Sequence, residues 1–247
     1  MKLYKDPILN FTEIFNEKNG LLIRTNILDK NGRETKVEPA MRSFPELIDI
    51  GIMGKCHVNQ MFCKKFGVDC YQANNNYEDM CLDDYKRIID ECKNKTFQVA
   101  LGGRGDPNKH EKFIEILKYT RNNGIIPNLT TTGINITKKE IIAMKKYCGA
   151  VAISMYSKII NINGKLIESN PKSEEAIKKL ISQKITTNVH YVISNETIDD
   201  VITRLENDLF PTGVNAVIFL LYKPVGIATC EKIINIKINN GILKMLK

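Results

Sequence analysis

The chain has 247 residues, of which 43% are hydrophobic, and this is enough to build a core without disulfide staples. Its net charge of +8 and pI near 9.0 favour acidic partners, but the lysines are scattered over helix-like segments, which is typical of solvated helix faces. The seven cysteines are an odd number, the N-terminus lacks a signal-peptide core, and no apolar run approaches the roughly 20 residues of a membrane span. We therefore predict a cytoplasmic protein with reduced thiols and no membrane partner.

The first 46 residues are predicted to form an N-terminal extension. Residues 21–28 have the composition of a strand, Asn31-Gly32 is a turn signal, and residues 34–37 return as the second strand of a β-hairpin. The expected role of this extension is to cap the bottom of the domain that follows.

From residue 47 to 230, short β-branched runs alternate with amphipathic segments, and residues 231–247 form a Lys/Ile/Asn-rich tail. The predicted strands are 47–53, 97–101, 126–131, 150–154, 187–193 and 216–222, and the predicted helices are 82–93, 112–122, 137–147, 173–182 and 198–207. Successive strand–helix units imply parallel strands, in an open sheet or a partial barrel, with ligands at the carboxyl ends of the strands. The last strand is apolar throughout, which is typical of a strand covered on both faces.

Three cysteines, Cys56, Cys63 and Cys70, follow the first of these strands with six residues between neighbours. Thiolates on one loop can hold an iron–sulfur cluster with one iron left open, and this is the favoured interpretation. A zinc site completed by His57 or Cys81 has suitable ligands, although structural zinc usually shows close Cys-x2-Cys pairs. A third interpretation is that the cysteines are small buried hydrophobes on one helix face.

Polar and Gly-rich segments follow the other strands. Gly102-Gly103-Arg104-Gly105-Asp106-Pro107 comes after the second strand, Thr130-Thr131-Thr132-Gly133 after the third, and Ser154 ends the fourth. Paired glycines allow a ligand to approach the backbone closely, although an ordinary turn has the same composition. His190, on the fifth strand, is either a substrate contact or an interior polar residue, whereas Cys92 and Cys148 are predicted to be packing residues.

This order of motifs resembles the radical S-adenosylmethionine (SAM) superfamily over residues 47–226. In that family a cysteine loop after the first strand binds a [4Fe–4S] cluster, and a Gly-Gly-Glu-Pro-like motif after the second contacts the methionine moiety of SAM. The resemblance implies a partial (βα)6 barrel, cluster ligands Cys56, Cys63 and Cys70, and a SAM site made by Gly102, Gly103, Arg104, Asp106, Thr131, Thr132 and Ser154.

Two features depart from the family pattern. The family usually has three and then two residues between its cysteines, whereas this chain has six and six, so Cys81 is a rival to Cys63 as the middle ligand. Arg104 stands where the family commonly has Glu, so that Asp106 or backbone carbonyls would have to bind the ammonium group of SAM.

The resemblance implies an enzyme that takes an electron from an external donor, cleaves SAM reductively and uses a 5′-deoxyadenosyl radical to abstract hydrogen from a substrate. A peptide or small molecule is favoured as substrate over RNA, because the chain has no clustered aromatic platform for bases. The alternative is a non-catalytic, zinc-stabilised α/β binding protein with a basic surface.

Overall fold

The computed structural model describes residues 1–39, 41–57, 76–224 and 230–233. Its centre is a parallel six-stranded sheet with the order β11-β10-β7-β6-β5-β4. The strands of this sheet are β4 (Leu47–Met53), β5 (Gln98–Gly103), β6 (Ile126–Thr131), β7 (Val151–Ser154), β10 (Thr187–Ile193) and β11 (Ala216–Leu221). The predicted partial barrel of six parallel strands is confirmed.

In the described part of the chain, five helices connect these strands, and each begins within two residues of its predicted start. They are α1 (Leu82–Cys92), α2 (Phe113–Asn122), α3 (Lys138–Tyr147), α4 (Lys172–Ser182) and α5 (Ile198–Glu206). A capping box begins α3, where the Thr137 hydroxyl accepts from the Glu140 amide and the Glu140 carboxylate accepts from the Thr137 amide. Helix α4, in contrast, begins after Pro171 without a side-chain cap. None of the described helices is long and apolar enough to cross a bilayer.

The two faces of the sheet have different surroundings. Ile52, Val99, Leu129, Ile153 and Val189 point to the helices and form the centre of the hydrophobic core. The alternate residues line the inner, concave face and are mostly partly exposed, because none of the described helices covers that side. The described elements therefore leave the inner face open.

An antiparallel three-stranded sheet precedes the barrel and consists of β1 (Lys2–Lys5), β2 (Thr12–Phe15) and β3 (Leu22–Arg24). The predicted hairpin across the Asn31-Gly32 turn is present as a single antiparallel bridge between Leu28 and Glu34. Strands β1 and β2 were not predicted. Phe15 stacks on Phe97, with 5.0 Å between ring centroids, directly before the start of β5. The N-terminal sheet therefore caps the amino end of the barrel, as expected.

A second unpredicted element follows β7. Strands β8 (Ile159–Ile162) and β9 (Lys165–Glu168) form an antiparallel hairpin between β7 and α4. Its turn is Asn163-Gly164, and both residues have positive φ, as a type I′ turn requires. The hairpin extends the carboxyl end of the barrel beyond β7.

The interpretation of the last strand as covered on both faces is wrong. Strand β11 is the edge of the sheet in the described part of the chain, and Ile218, Leu220 and Leu221 are 38%, 40% and 59% exposed. Its hydrophobic composition matched a central strand, but composition does not encode a strand's place in the sheet order. The predicted domain boundaries at residues 46 and 230 stay predictions.

Candidate functional site

Eight of the predicted site residues lie in the described part of the chain, and all of them are at the carboxyl ends of strands β4 to β7. They are Cys56, Gly102, Gly103, Arg104, Asp106, Thr131, Thr132 and Ser154. Cys63 and Cys70 lie outside the described residues. One side of the barrel thus gathers the loop motifs, as a parallel sheet requires.

Cys56 lies at the neck of the cysteine loop. The neck is closed by a bridge between Lys55 and Asn76, and the Tyr77 amide donates to the Gly54 carbonyl at 3.0 Å. Gly54 is required here, because a Cβ would stand 2.2 Å from the carbonyl oxygen of Glu78. The two ends of residues 58–75 are therefore held together directly beyond β4.

The Gly-rich loop after β5 packs against this neck. A Cβ on Gly105 would stand 2.5 Å from the Lys55 carbonyl oxygen and 3.4 Å from the Cα of Cys56. Gly103 has φ of 107° and lies against Gly51, the residue paired with Gly102. A Cβ on Gly102, in contrast, would meet nothing within 4 Å, so this backbone faces open space on the inner side.

Asp106 joins the loops after β5 and β6. Its carboxylate accepts from the Thr132 amide at 2.7 Å and from the Thr132 hydroxyl at 2.6 Å, and both residues are buried. Thr131 points toward the helices and donates to the Asn108 side chain at 2.7 Å. Asp106 and Thr131 therefore have internal partners. Asn108 was not predicted as part of the site, although it follows the Asp106-Pro107 pair directly.

Arg104 lies beside the end of the cysteine loop. Its guanidinium stands 4.4 Å from the ring centroid of Tyr77, which is a cation–π distance. The positive charge of Arg104 thus contacts the neck of the cysteine loop.

Ser154 and His190 are paired neighbours on the inner face. Ser154 is the last residue of β7, His190 is opposite it on β10, and Ile218 of β11 completes the row. Burial lowers the pKa of His190, which favours the neutral imidazole. The row gives the mouth of the barrel a hydroxyl, an imidazole and an exposed aliphatic side chain at neighbouring positions.

The rival ligand Cys81 is exposed and caps α1. Its sulfur accepts from the Asp84 amide at 3.4 Å and donates to the Asp84 carboxylate at 3.1 Å. Cys92 is buried in the core, and burial raises the pKa of both Cys92 and Cys148, as expected for packing residues. Within the described ranges, no three Cys, His, Asp or Glu side chains gather as a metal site.

A buried ion-pair network that was not predicted joins the β8–β9 hairpin to α5. Arg204 is fully buried, forms a bidentate pair with Glu168 at 2.5 and 2.9 Å, and contacts Asp200 at 2.7 Å. Burial alone would lower the pKa of Arg204, but the two carboxylates raise it and keep the guanidinium charged. Because Glu168 ends β9, this network holds the hairpin against α5.

Solved structures share this fold. No family model matches the sequence, and no curated protein matches it. SuiB from Streptococcus suis bound to the precursor peptide SuiA aligns with a TM-score of 0.64 at 16% identity, over 83% of this chain and 46% of that chain. SuiB bound to S-adenosylmethionine gives a TM-score of 0.62 at 18% identity, over 83% and 47%.

A second protein, anSMEcpe with bound AdoMet and Cp18Cys peptide, aligns with a TM-score of 0.53 at 16% identity, over 72% of this chain and 50% of that chain. The chain thus spans about half the length of the solved structures that it matches. At these identities the comparisons establish a common fold.

Proposed function

We propose that this chain is a radical SAM enzyme, which cleaves S-adenosylmethionine reductively at a [4Fe–4S] cluster to form a 5′-deoxyadenosyl radical for hydrogen abstraction. The observation that carries the proposal is the packing of Gly105 against Lys55 and Cys56. It brings the cysteine loop and the Gly-rich loop into contact at the carboxyl end of a partial barrel. The same fold has been solved with S-adenosylmethionine bound in SuiB.

The thiol side chains fit an iron–sulfur cluster, because thiolates are the preferred ligands of such clusters. Cys56 would bind it together with Cys63 and Cys70, which lie outside the described residues. When bound, the cluster supplies the electron that breaks a carbon–sulfur bond of S-adenosylmethionine, and it receives that electron from an external donor. The closed neck at Lys55 and Asn76 fixes where this loop leaves the sheet.

The inner side of β5 fits the methionine moiety of S-adenosylmethionine. Gly102 leaves open the space that a side chain would fill, so its peptide groups are accessible to a ligand. Ser154 would contribute a hydroxyl from β7. Asp106 and Thr131 are proposed to position the loops, since Asp106 accepts two hydrogen bonds from Thr132 and Thr131 donates to Asn108.

The ammonium group of S-adenosylmethionine needs acceptors, and Arg104 cannot provide them. Because the Arg104 guanidinium lies over Tyr77, its charge is directed toward the cysteine-loop neck. The backbone carbonyls of the Gly-rich loop would serve instead, together with the remaining acceptor capacity of Asp106.

A peptide is the proposed substrate class. The open inner face can admit an extended chain, and both SuiB and anSMEcpe were solved with peptides bound. His190 and Ile218 would contact the substrate, because they continue the row that starts at Ser154. A neutral His190 would exchange a hydrogen bond with the substrate without presenting a charge.

Anaerobic reconstitution with iron and sulfide tests the cluster. We expect a brown protein that forms 5′-deoxyadenosine when dithionite and S-adenosylmethionine are added. A colourless protein with stoichiometric zinc would overturn the proposal in favour of a zinc-stabilised binding protein.

Single cysteine variants test the ligand set. Cys56→Ala, Cys63→Ala and Cys70→Ala should lose bound iron, whereas Cys81→Ala and the exposed control Cys230→Ala should keep it. Retention of the cluster in Cys63→Ala together with its loss in Cys81→Ala would assign the middle ligand to Cys81.

The substrate class is tested with two pools from cells grown on deuterated medium, one of peptides and one of small molecules. Hydrogen abstraction from a peptide predicts deuterium in 5′-deoxyadenosine with the peptide pool alone. Deuterium transfer only from the small-molecule pool would reject a peptide substrate.

A further inference from the structure

Asp49 is the only Asp, Glu, Lys or Arg residue in the six described strands of the parallel sheet. It is exposed and lies on the inner side of β4, since Ile48 and Ile50 on either side of it point to the helices. Its carboxylate has no hydrogen-bond or ion-pair partner among the described residues. Strands of parallel sheets are normally hydrophobic, so an unpaired charge at this place is a candidate ligand contact.

The neighbouring strand β5 leaves space beside Asp49. Ala100 is paired with Asp49, and Gly102 is paired with Gly51 one step nearer the carboxyl end. Ala100 is a small, partly exposed residue, and a Cβ on Gly102 would meet nothing within 4 Å. The inner side of β5 thus forms a groove over Ala100 and Gly102, which we call the β5 groove, with Asp49 on its β4 side.

Asn128 of β6 lies on the other side of the β5 groove, where it is paired with Ala100. Its side-chain amide donates to the Gln98 side chain at 2.9 Å, and its side-chain carbonyl accepts from the Ala150 amide at 2.9 Å. Gln98 lies two residues before Ala100 on the same face, so its bond to Asn128 bounds the groove toward the amino end. The groove therefore has one charged wall, formed by Asp49, and one neutral wall with a fixed side chain.

We propose that Asp49 determines substrate specificity by binding a positively charged group of the peptide, an inference that rests on the proposed function. The methionine moiety of S-adenosylmethionine is assigned to the space at Gly102, and Asp49 lies two residues, or about 7 Å, deeper along the strand direction than Gly51. A substrate group bound to Asp49 would therefore lie directly below the cofactor. The net charge of +8 repels cations, so the attraction has to come from this carboxylate.

Equilibrium dialysis of the reconstituted protein against pools of synthetic hexapeptides, read by mass spectrometry, tests the proposal. The first pool carries one Lys or Arg and has acetyl and amide caps, the second is capped and neutral, and the third is neutral with a free amino terminus. We expect the wild type to retain a cationic pool about tenfold more strongly than the capped neutral pool, because a charged hydrogen bond is lost without the cation. Preference for the first or the third pool identifies the cation as a side chain or as the terminal ammonium.

Asp49→Asn should abolish this preference, and Asp49→Ser is a second neutral variant that should do the same. Asp49→Glu keeps the charge and should keep the preference. The matched control is Asp83→Asn, which changes the net charge equally at an exposed residue of α1 and should also keep the preference. Circular dichroism reports whether each variant is folded.

Equal retention of all pools by the wild type, or a preference that persists in folded Asp49→Asn, would overturn the proposal. Weaker binding of labelled S-adenosylmethionine by Asp49→Asn than by Asp83→Asn would also overturn it, since the carboxylate would then belong to the cofactor site. Peptide retention does not require S-adenosylmethionine cleavage. A wild type that forms no 5′-deoxyadenosine would therefore reject the proposed function, whereas the peptide preference tests Asp49 separately.

Discussion

At the scale of single residues, two glycines of one loop have opposite surroundings. The Cα of Gly105 faces the Lys55 carbonyl and Cys56, with no room for a methyl group, whereas Gly102 faces open space. The first glycine therefore permits the contact between two loops, and the second leaves room for a ligand. Both serve the same proposed site by different means.

Alanine substitutions separate these two roles. Gly105→Ala should lower the free energy of unfolding by about 1–3 kcal/mol, because its methyl group would overlap backbone atoms that cannot rotate away. Gly102→Ala should change it by less than about 1 kcal/mol, yet weaken S-adenosylmethionine binding about tenfold or more by filling the open space. Denaturant unfolding and equilibrium dialysis with labelled S-adenosylmethionine measure the two effects. Unchanged binding in a folded Gly102→Ala protein would contradict the assigned role.

At the scale of elements, the hairpin of β8 and β9 depends on a single cation. Arg204 forms ion pairs with both Glu168, the last residue of β9, and Asp200 of α5. The Asp200 carboxylate also accepts from the Ile159 amide at 2.5 Å, where β8 starts. The position of the hairpin beyond β7 is thus set by buried charges rather than by a large apolar contact.

Arg204→Met should cost about 3–5 kcal/mol of unfolding free energy, because it leaves two buried carboxylates without their partner. The matched control is Arg87→Met, since the exposed pair of Arg87 with Asp84 should contribute less than about 1 kcal/mol. Denaturant unfolding gives the two values, and hydrogen exchange should show the hairpin opening first. Similar costs for the two variants would mean that the buried network does not hold the hairpin.

The sequence predicted the elements that have a strong period and missed those that depend on a few residues. All six barrel strands are recognisable from β-branched runs. Their alternation with helices predicted a parallel sheet, and it correctly placed the Gly-rich loop at the carboxyl end of the strands. The four-residue strands β1 and β2 are too short for a pattern, and the Asn163-Gly164 turn was the overlooked signal for the hairpin. The hydrogen bonds between Asp106 and Thr132 and between Thr131 and Asn108 depend on loop geometry, which local composition does not encode.

At the scale of the whole molecule, the two ends of the barrel have different tasks. The carboxyl end carries the proposed site, and the amino end is closed by the N-terminal sheet through Phe15, Phe97 and Ile126. Arg42 covers this cluster, with its guanidinium 3.5 Å from the ring centroid of Tyr4 and its Nε 3.0 Å from the Glu13 carboxylate. This arrangement matches the usual division of parallel barrels into a stability end and a functional end.

The division predicts that the N-terminal sheet can be weakened without altering the chemistry at the other end. Phe15→Ala should lower the free energy of unfolding by about 3–5 kcal/mol, because Phe15 is buried and stacked on Phe97. Ile14→Ala is the matched control on the opposite face of the same strand and should cost less than about 1 kcal/mol, since Ile14 is 39% exposed. Under conditions where both variants are folded, 5′-deoxyadenosine formation per bound cluster should equal that of the wild type. A folded Phe15→Ala protein with slower S-adenosylmethionine cleavage would show that the amino end also shapes the site.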